Sequence, residues 1–362
     1  MQVTVVGGSL TGLSSAICLA RAGHRVLVLD QSSALASGGT GLGIDRRLLE
    51  LVAGRSPYDD PDGVPVISAQ RESARWSDIY RWLSRVAGEA EGIRIRTSAL
   101  VTSVGCDAAA AWVEIGEERI ASDAVIGADG YRSVTRRFVA PQNAEPSYAG
   151  YLIWRGLVEE RDLPGRLNGL IPDAITVDYR GDYRLISYTV PGADGGTSPG
   201  ARAVNFAWYD RGRDAILEQA GCLRDGIPLR TFTPSDMSLS LREELERHAQ
   251  QTWADPIRTV ILHSLRQGGC FGTPISQYVP TRLARGRVAL VGDAAHATTP
   301  MTGSGLRFGL LDALALGRTM AGADAEDCAT SLASYEGLRL TDDQALSLHG
   351  EQANAAFAAG RG

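Results

Sequence analysis

Three short stretches of this 362-residue chain carry residues that could do chemistry. In the first, Gly7-Gly8-Ser9-Leu10-Thr11-Gly12 separates an apolar run over 3–8 from small and apolar residues over 12–23, and a second apolar run ends at Asp30, 18 residues past Gly12. Strand, glycine turn, helix, strand and acid in this order cradle a pyrophosphate on the helix N-terminus and leave the carboxylate for ribose hydroxyls. The usual fingerprint is G-x-G-x-x-G, and Ser9 stands where its second glycine belongs. Serine is small enough for backbone still to approach a phosphate, and it adds a hydroxyl donor. In the second stretch, "IGADGYRSVTRR", Asp129-Gly130 closes an apolar strand and two consecutive arginines follow. In the third, 286–317, a strand stops at Gly292-Asp293, His296 and Pro300 lie in the loop, and Gly303-Ser304-Gly305 opens an apolar helix containing Asp312. Free N–H groups at such a helix start suit an anion or an electron-rich carbonyl. An imidazole titrating near neutral pH makes His296 a candidate base, against the plainer role of bonding to backbone.

These residues need elements to hold them. "GGTGLGIDRRLLELVAG" at 38–54 reads as a glycine loop able to fold over a flat ring, then a short amphipathic helix. Apolar positions 76, 79, 83 and 86 give a helical stripe over 75–90, with Trp76 and Trp82 as core anchors. Two strand-like stretches over 93–128 suggest a meander returning to the sheet. Residues 148–209 change to aromatic, alternating strands between Gly/Pro/Asp turns, a largely antiparallel sheet. Within 204–209, alternation puts Asn205, Ala207 and Tyr209 on one face and Phe206 and Trp208 on the other, without saying which face looks into a site. With Tyr188, the residues Asn205, Trp208 and Tyr209 are the candidates for a substrate wall. The segment after 325 reads as a helix with a frayed end.

Composition excludes several classes. The chain has no lysine, so its 36 basic residues are all arginine; Schiff-base, pyridoxal phosphate and G-x-x-x-x-G-K-[ST] chemistry are ruled out. Five scattered cysteines in no C-x-x-C pair indicate neither a disulfide framework nor a zinc site. A net charge of −6 without a basic run argues against nucleic acid. No run of 18 apolar residues suggests a membrane span, and the start lacks signal-peptide features, so a cytoplasmic protein is expected.

The order and spacing of "GGSLTGL…D", "IGADGYRSVTRR" and "GDAAHATTPMTGSG…D" resemble the single-component FAD-dependent aromatic hydroxylases, the p-hydroxybenzoate hydroxylase superfamily. "GGS" itself, "RWSDIYRWL", "AEPSYAGYLIWRGLVEERDLP", "YTVPG" and "VNFAWY" resemble its 2,6-dihydroxypyridine 3-hydroxylase-like branch. The resemblance implies an α/β fold: a Rossmann-like, glutathione reductase-type FAD-binding domain (1–66, 92–145 and 270–325), an inserted, largely antiparallel substrate domain (67–91 and 146–269) and a helical tail (326–362). It implies non-covalent FAD, with Gly7, Gly8, Ser9 and Gly12 at the pyrophosphate and Asp30 at the adenosine ribose. Asp129 and Gly130 match the motif linked to FAD and NAD(P)H, and Asp293 the acid at the ribityl chain. Pro300, Gly303, Ser304 and Gly305 match the loop beside the isoalloxazine ring, and Arg46 is the candidate to lie over it. His296, Pro300 and Tyr188 are the residues expected to carry chemistry. The implied reaction is hydroxylation of an electron-rich aromatic or N-heteroaromatic small molecule through a flavin hydroperoxide, with molecular oxygen and NADH or NADPH as co-substrate, in a monomer or homodimer. A halogenase of similar fold is set aside, since lysine and a W-x-W-x-I-P stretch are both missing. A non-oxygenating reductase or flavin-binding protein stays open as the alternative.

Overall fold

A computed structural model describes residues 1–33, 40–69, 71–167, 169–181 and 183–359; the expected loop glycines at 38 and 39 lie outside them. The three chemical stretches meet at one sheet. Its strand order is Ala284–Arg285, Val288–Leu290, Ala124–Gly127, Gln2–Val6, Arg25–Leu29, Ile93–Arg96, parallel throughout except the first pair. Parallel strands covered on both faces need near-continuous apolar sequence. Val3, Val5, Val28, Val125 and Ile126 accordingly have no exposed surface. The helix Leu10–Arg21 lies against the helices Gly305–Met320 and Trp76–Glu89. The turn between Val6 and Leu10 admits only glycine at position 7: φ is +100°, and a Cβ there would sit 2.3 Å from the Ala128 carbonyl oxygen.

A second, five-stranded sheet is antiparallel, ordered Thr176–Arg180, Tyr183–Pro191, Arg202–Arg211, Ser147–Glu159, Phe271–Gln277. One face is covered by the helices Leu239–Thr252 and Ile257–Arg266, whose Leu241, Leu245, Val260 and Ile261 pack on Trp154, Phe206 and Trp208. The other face looks toward the parallel sheet. A three-stranded sheet of Gly41–Gly43, Glu72–Arg75 and Ile67–Ser68 joins the two layers, with Ser73 Oγ donating to the Thr189 carbonyl at 2.8 Å and Arg75 Nε to that of Pro191 at 2.6 Å.

Two expected boundaries need correction. The helix Trp76–Glu89, assigned by sequence to the inserted domain, buries Ile79, Trp82, Leu83 and Val86 in the core of the parallel sheet. Phe271–Gln277, assigned to the cofactor domain, hydrogen-bonds along Ser147–Glu159 as an edge of the antiparallel sheet. The final helix, Cys328–Ala358, is a 31-residue element. Its start packs Leu332 and Tyr335 into the first core, and its end packs Phe357 against Tyr151 and Tyr209.

Candidate active site

A cavity of about 750 Å³ runs from the turn at Ser9–Thr11, past Gly130, Asp293 and the Pro300–Gly305 loop, to the antiparallel sheet. That volume falls within the range of pockets that take drug-sized ligands. At the turn, Ser9 occupies the N-cap of the first helix, yet its exposed hydroxyl makes no capping bond. It is free to donate to a ligand at a helix terminus whose N–H groups already favour an anion. Gly7, Gly8 and Gly12 shape the turn rather than line the cavity: a Cβ on Gly12 would come 1.9 Å from the Gly7 carbonyl oxygen, and one on Gly8 would press on Asp30. Asp30 accepts from the N–H groups of Gly8 at 2.7 Å and Ser32 at 2.8 Å, which fixes its carboxylate beside the turn.

The DG turn and the GD loop are tied together by a buried cation. Asp129 accepts from Ser133 Oγ at 2.5 Å and from the Thr135 N–H at 3.0 Å, so its carboxylate shapes the turn while Gly130 faces the cavity. Arg136 has no exposed surface and donates to the carbonyls of Tyr131, Ala144 and Ala294. Asp293 opens into the cavity; the protein around it pushes its carboxyl pKa up, and His296 and Arg136 pull it back. The next helix begins at Gly305, with Gly303, Ser304 and Gly305 all on the cavity wall.

The antiparallel sheet supplies the far wall and settles the facing that alternation left open. Asn205, Ala207 and Tyr209 line the cavity, with Arg184, Ile186 and Tyr188 on the neighbouring strand and Arg155 on the other side. Trp208, expected at the substrate, points the opposite way into the helix-covered core, edge-on to Trp253 at 6.2 Å. Tyr188 is spent structurally: its hydroxyl donates to the Gly41 carbonyl at 2.6 Å, and burial raises its pKa.

His296 is not the expected base. It has no exposed surface and does not line the cavity. Its Nε2 meets Asp312 Oδ2 at 2.7 Å, Asp312 Oδ1 accepts from Arg339 Nε at 2.8 Å, and Arg339 Nη2 donates to Asp343 at 2.6 Å. Burial opposes the imidazolium, but Asp312, Asp343 and Asp293 outweigh it and hold the His296 pKa up at about 9. The ligand atoms of His296, Asp312 and Asp343 lie within 4.8 Å of one another, and the Arg339 guanidinium already supplies the cation among them. The Gly292 N–H also donates to Asp312 at 2.8 Å, so this cluster holds the loop that carries Asp293.

Arg46 also departs from expectation. It pairs with Glu72 and stacks over Tyr58 at 3.9 Å, outside the cavity. Pro300 lines the cavity at the start of a short 3-10 turn, where it shapes backbone and offers no titrating group. Trp76, read as a core anchor, is also on the cavity wall, stacked on Tyr80 at 4.9 Å; Trp82 is the buried one. The cavity arginines Arg71, Arg155 and Arg184 escaped the sequence reading, because nothing local separates them from the other arginines of the chain.

The chain is similar to known proteins in sequence and fold. An FAD binding domain family matches residues 1–55 and 243–346, and an FAD binding domain-like family matches 148–264. The 2,6-dihydroxypyridine 3-monooxygenase of Paenarthrobacter nicotinovorans is 28% identical over 324 residues, spanning 84% of this chain and 79% of that protein. The 3-amino-4-hydroxybenzoate 2-monooxygenase of Streptomyces cremeus is 26% identical over 344 residues, 87% of this chain and 77% of that one. The solved structure of 2,6-dihydroxypyridine-3-hydroxylase from Arthrobacter nicotinovorans superposes with a TM-score of 0.82 at 24% identity, covering 100% and 93% of the two chains. FAD-binding family models thus match both halves of this one cavity, and over most of its length the chain is similar to aromatic and heteroaromatic ring monooxygenases.

Proposed function

We propose that the protein hydroxylates a small, electron-rich aromatic or N-heteroaromatic ring, with NADH or NADPH as the source of electrons. The observation that carries this reading is the continuity of the cavity: one chamber joins the Ser9 turn, the Asp293 loop and the Asn205–Tyr209 wall. The residues fit FAD. Ser9 offers an unused hydroxyl and the first helix its N-terminus for the pyrophosphate, Asp30 sits beside the turn for the ribose, and Asp293 faces the cavity for the ribityl hydroxyls. Bound there, FAD supplies the redox and oxygen-activating chemistry.

The chain's own groups then position and enclose. The helix starting at Gly305 directs its partial positive charge at the cavity, which favours an anionic edge on the cofactor. Ala207 gives the sheet a small-residue floor between Asn205 and Tyr209, where a ring can lie flat. Asn205 Oδ1 accepts from the Gly41 N–H at 2.9 Å, which leaves the amide N–H₂ for a ring oxygen or nitrogen. The strand Gly41–Gly43 of the three-stranded sheet lines one side of the cavity. The sequence holds one dinucleotide fingerprint, which FAD takes, so the nicotinamide is expected to bind transiently.

The reading is tested by supplying NAD(P)H with hydroxypyridines, phenols and quinolones and following oxygen, NAD(P)H and product mass. A product 16 mass units heavier supports it. Reduction of a substrate double bond without oxygen consumption favours a reductase of the same fold.

A further inference from the structure

The loop from Thr298 to Gly305 on the cavity wall is anchored from behind. The Met301 N–H donates to Thr299 Oγ1 at 3.2 Å, and Thr299 Oγ1 meets the Tyr151 hydroxyl at 2.7 Å. That hydroxyl donates to Asn354 Oδ1 at 2.7 Å, and Asn354 Nδ2 donates to Gln277 Oε1 at 2.8 Å. Proton count fixes the remaining direction. A phenol has one proton and Tyr151 gives it to Asn354, so Thr299 gives its own to Tyr151 while accepting from Met301. Burial raises the Tyr151 pKa, which keeps the phenol protonated and able to donate. One chain of bonds thus runs from the sheet edge at Gln277, across the last helix, to the backbone of the loop.

Packing follows the same path. Tyr151, Thr299 and Asn354 are buried, and of the three only Thr299 lines the cavity. The helix Cys328–Ala358 passes so near the loop that a Cβ on Gly350 would come 2.8 Å from Thr298 Oγ1 and 3.3 Å from Thr299 Cγ2. Met301 packs against the cluster of Tyr151, Tyr209 and Phe357. Tyr151 stacks on Tyr209, a residue of the cavity wall, with ring centres 5.7 Å apart. Tyr151 therefore holds the loop through its hydroxyl and the antiparallel sheet through its ring.

The loop runs directly into the helix that starts at Gly305. The partial positive charge of a helix start falls off within its first turn, so what it does to a group in the cavity depends on where the loop is held. A buried chain with every member bonded keeps one geometry, and removing one member leaves its neighbours buried without partners.

Resting on the function proposed above, we propose that Tyr151 and Asn354 are positioning residues: acting through Thr299, they hold the 299–305 loop, and with it the positive end of the next helix, against the part of the cavity that receives the flavin ring. Neither residue touches the cavity itself.

The test uses Tyr151→Phe, Thr299→Val and Asn354→Leu, each of which cuts the chain with little change of shape. In FAD-loaded protein each should lower the flavin midpoint potential, because a loosened helix start stabilises negative charge on the reduced flavin less, and should alter the visible circular dichroism of bound FAD. FAD Kd should rise by no more than about tenfold, since the phosphate turn at Ser9 is untouched. Thr299→Ser keeps the hydroxyl and should keep the potential of the unaltered protein. The double variant Tyr151→Phe/Thr299→Val should shift the potential no further than the larger single shift, because both residues belong to one chain. Loss of thermal stability with potential and dichroism unmoved marks a packing role and overturns the proposal. Shifts that add in the double variant overturn it as well, since they show two independent effects. If Asn354→Leu does not fold, the Tyr151 and Thr299 variants decide. Unaltered protein that binds no FAD defeats the functional reading, whereas intact FAD binding with unmoved potentials defeats this proposal alone.

Discussion

The backbone N–H of Gly41 donates to Asn205 Oδ1 at 2.9 Å, a bond between residues 164 positions apart that fixes the three-stranded sheet to the cavity wall. The approach is close enough that a Cβ on Gly41 would come 2.7 Å from Val190 Cγ1, 2.8 Å from Tyr188 Cε2 and 3.1 Å from Asn205 Cβ. Gly41→Ala should therefore pry the two layers apart, costing about 1–3 kcal/mol of stability. Substrate KM should rise more than FAD affinity falls. Thermal melts and steady-state kinetics check this together.

The buried cluster behind Asp293 makes a pH prediction. The His296 pKa is raised from 6.5 to about 9, so its stabilising contribution is fully present below pH 6.5 and is lost as pH rises toward and through 9. Asp343, raised from 3.8 to about 7 by burial and by Asp312, acts in the same direction at lower pH, because its neutral form is the one the fold prefers. Asp343 predicts a melting temperature that falls as pH rises from about 4 through 7, and His296 a further fall between pH 6.5 and 9, the histidine share being about 3 kcal/mol. His296→Gln should lower stability by about 3–5 kcal/mol at pH 6.5 by breaking a buried pair, and should flatten the alkaline part of that decline. Because His296 lies outside the cavity, the pH profile of kcat at low temperature should keep its shape in the variant. A lost limb would restore the histidine as a base.

Much of the cofactor end was legible in the sequence, because its signals are local: a glycine turn, an acid at fixed spacing, a glycine pair at a helix start. The sheet was legible as alternation, which sorted Asn205, Ala207 and Tyr209 from Phe206 and Trp208. It did not say which set faces the cavity, since that depends on helices 239–252 and 257–266 covering the Trp208 side. His296 misled for a related reason: its partners Asp312, Arg339 and Asp343 sit on two later helices, and only tertiary packing shows them.

At the phosphate turn, Ser9→Gly should retain FAD, and Ser9→Leu should weaken it strongly, because a branched side chain at the exposed N-cap blocks the approach of the pyrophosphate. Asp293→Ala should weaken FAD by about tenfold or more, the size of a charged hydrogen bond. Fluorescence titration of apoprotein with FAD gives both values. Unchanged affinity in Ser9→Leu would mean that Ser9 does not face the phosphate.

On the sheet, Ala207→Leu and Trp208→Ala should separate site from core. Filling the floor at Ala207 should abolish substrate-stimulated NAD(P)H oxidation with FAD content intact. Removing the Trp208 ring from the opposite core should cost about 3–5 kcal/mol of stability and leave the KM of the folded fraction near its original value. The reverse pattern would put the substrate on the wrong face.

If a bound ring gates oxygen chemistry in this cavity, isotope labelling of the product will show it. FAD-loaded protein is given NAD(P)H, an accepted hydroxylated ring and ¹⁸O-labelled oxygen gas, and product mass is read beside NAD(P)H consumption. NAD(P)H oxidation should be slow without the ring, rise many-fold with it, and leave one labelled oxygen atom in the product. Substrate reduction without oxygen uptake, or product oxygen drawn from water, would contradict it.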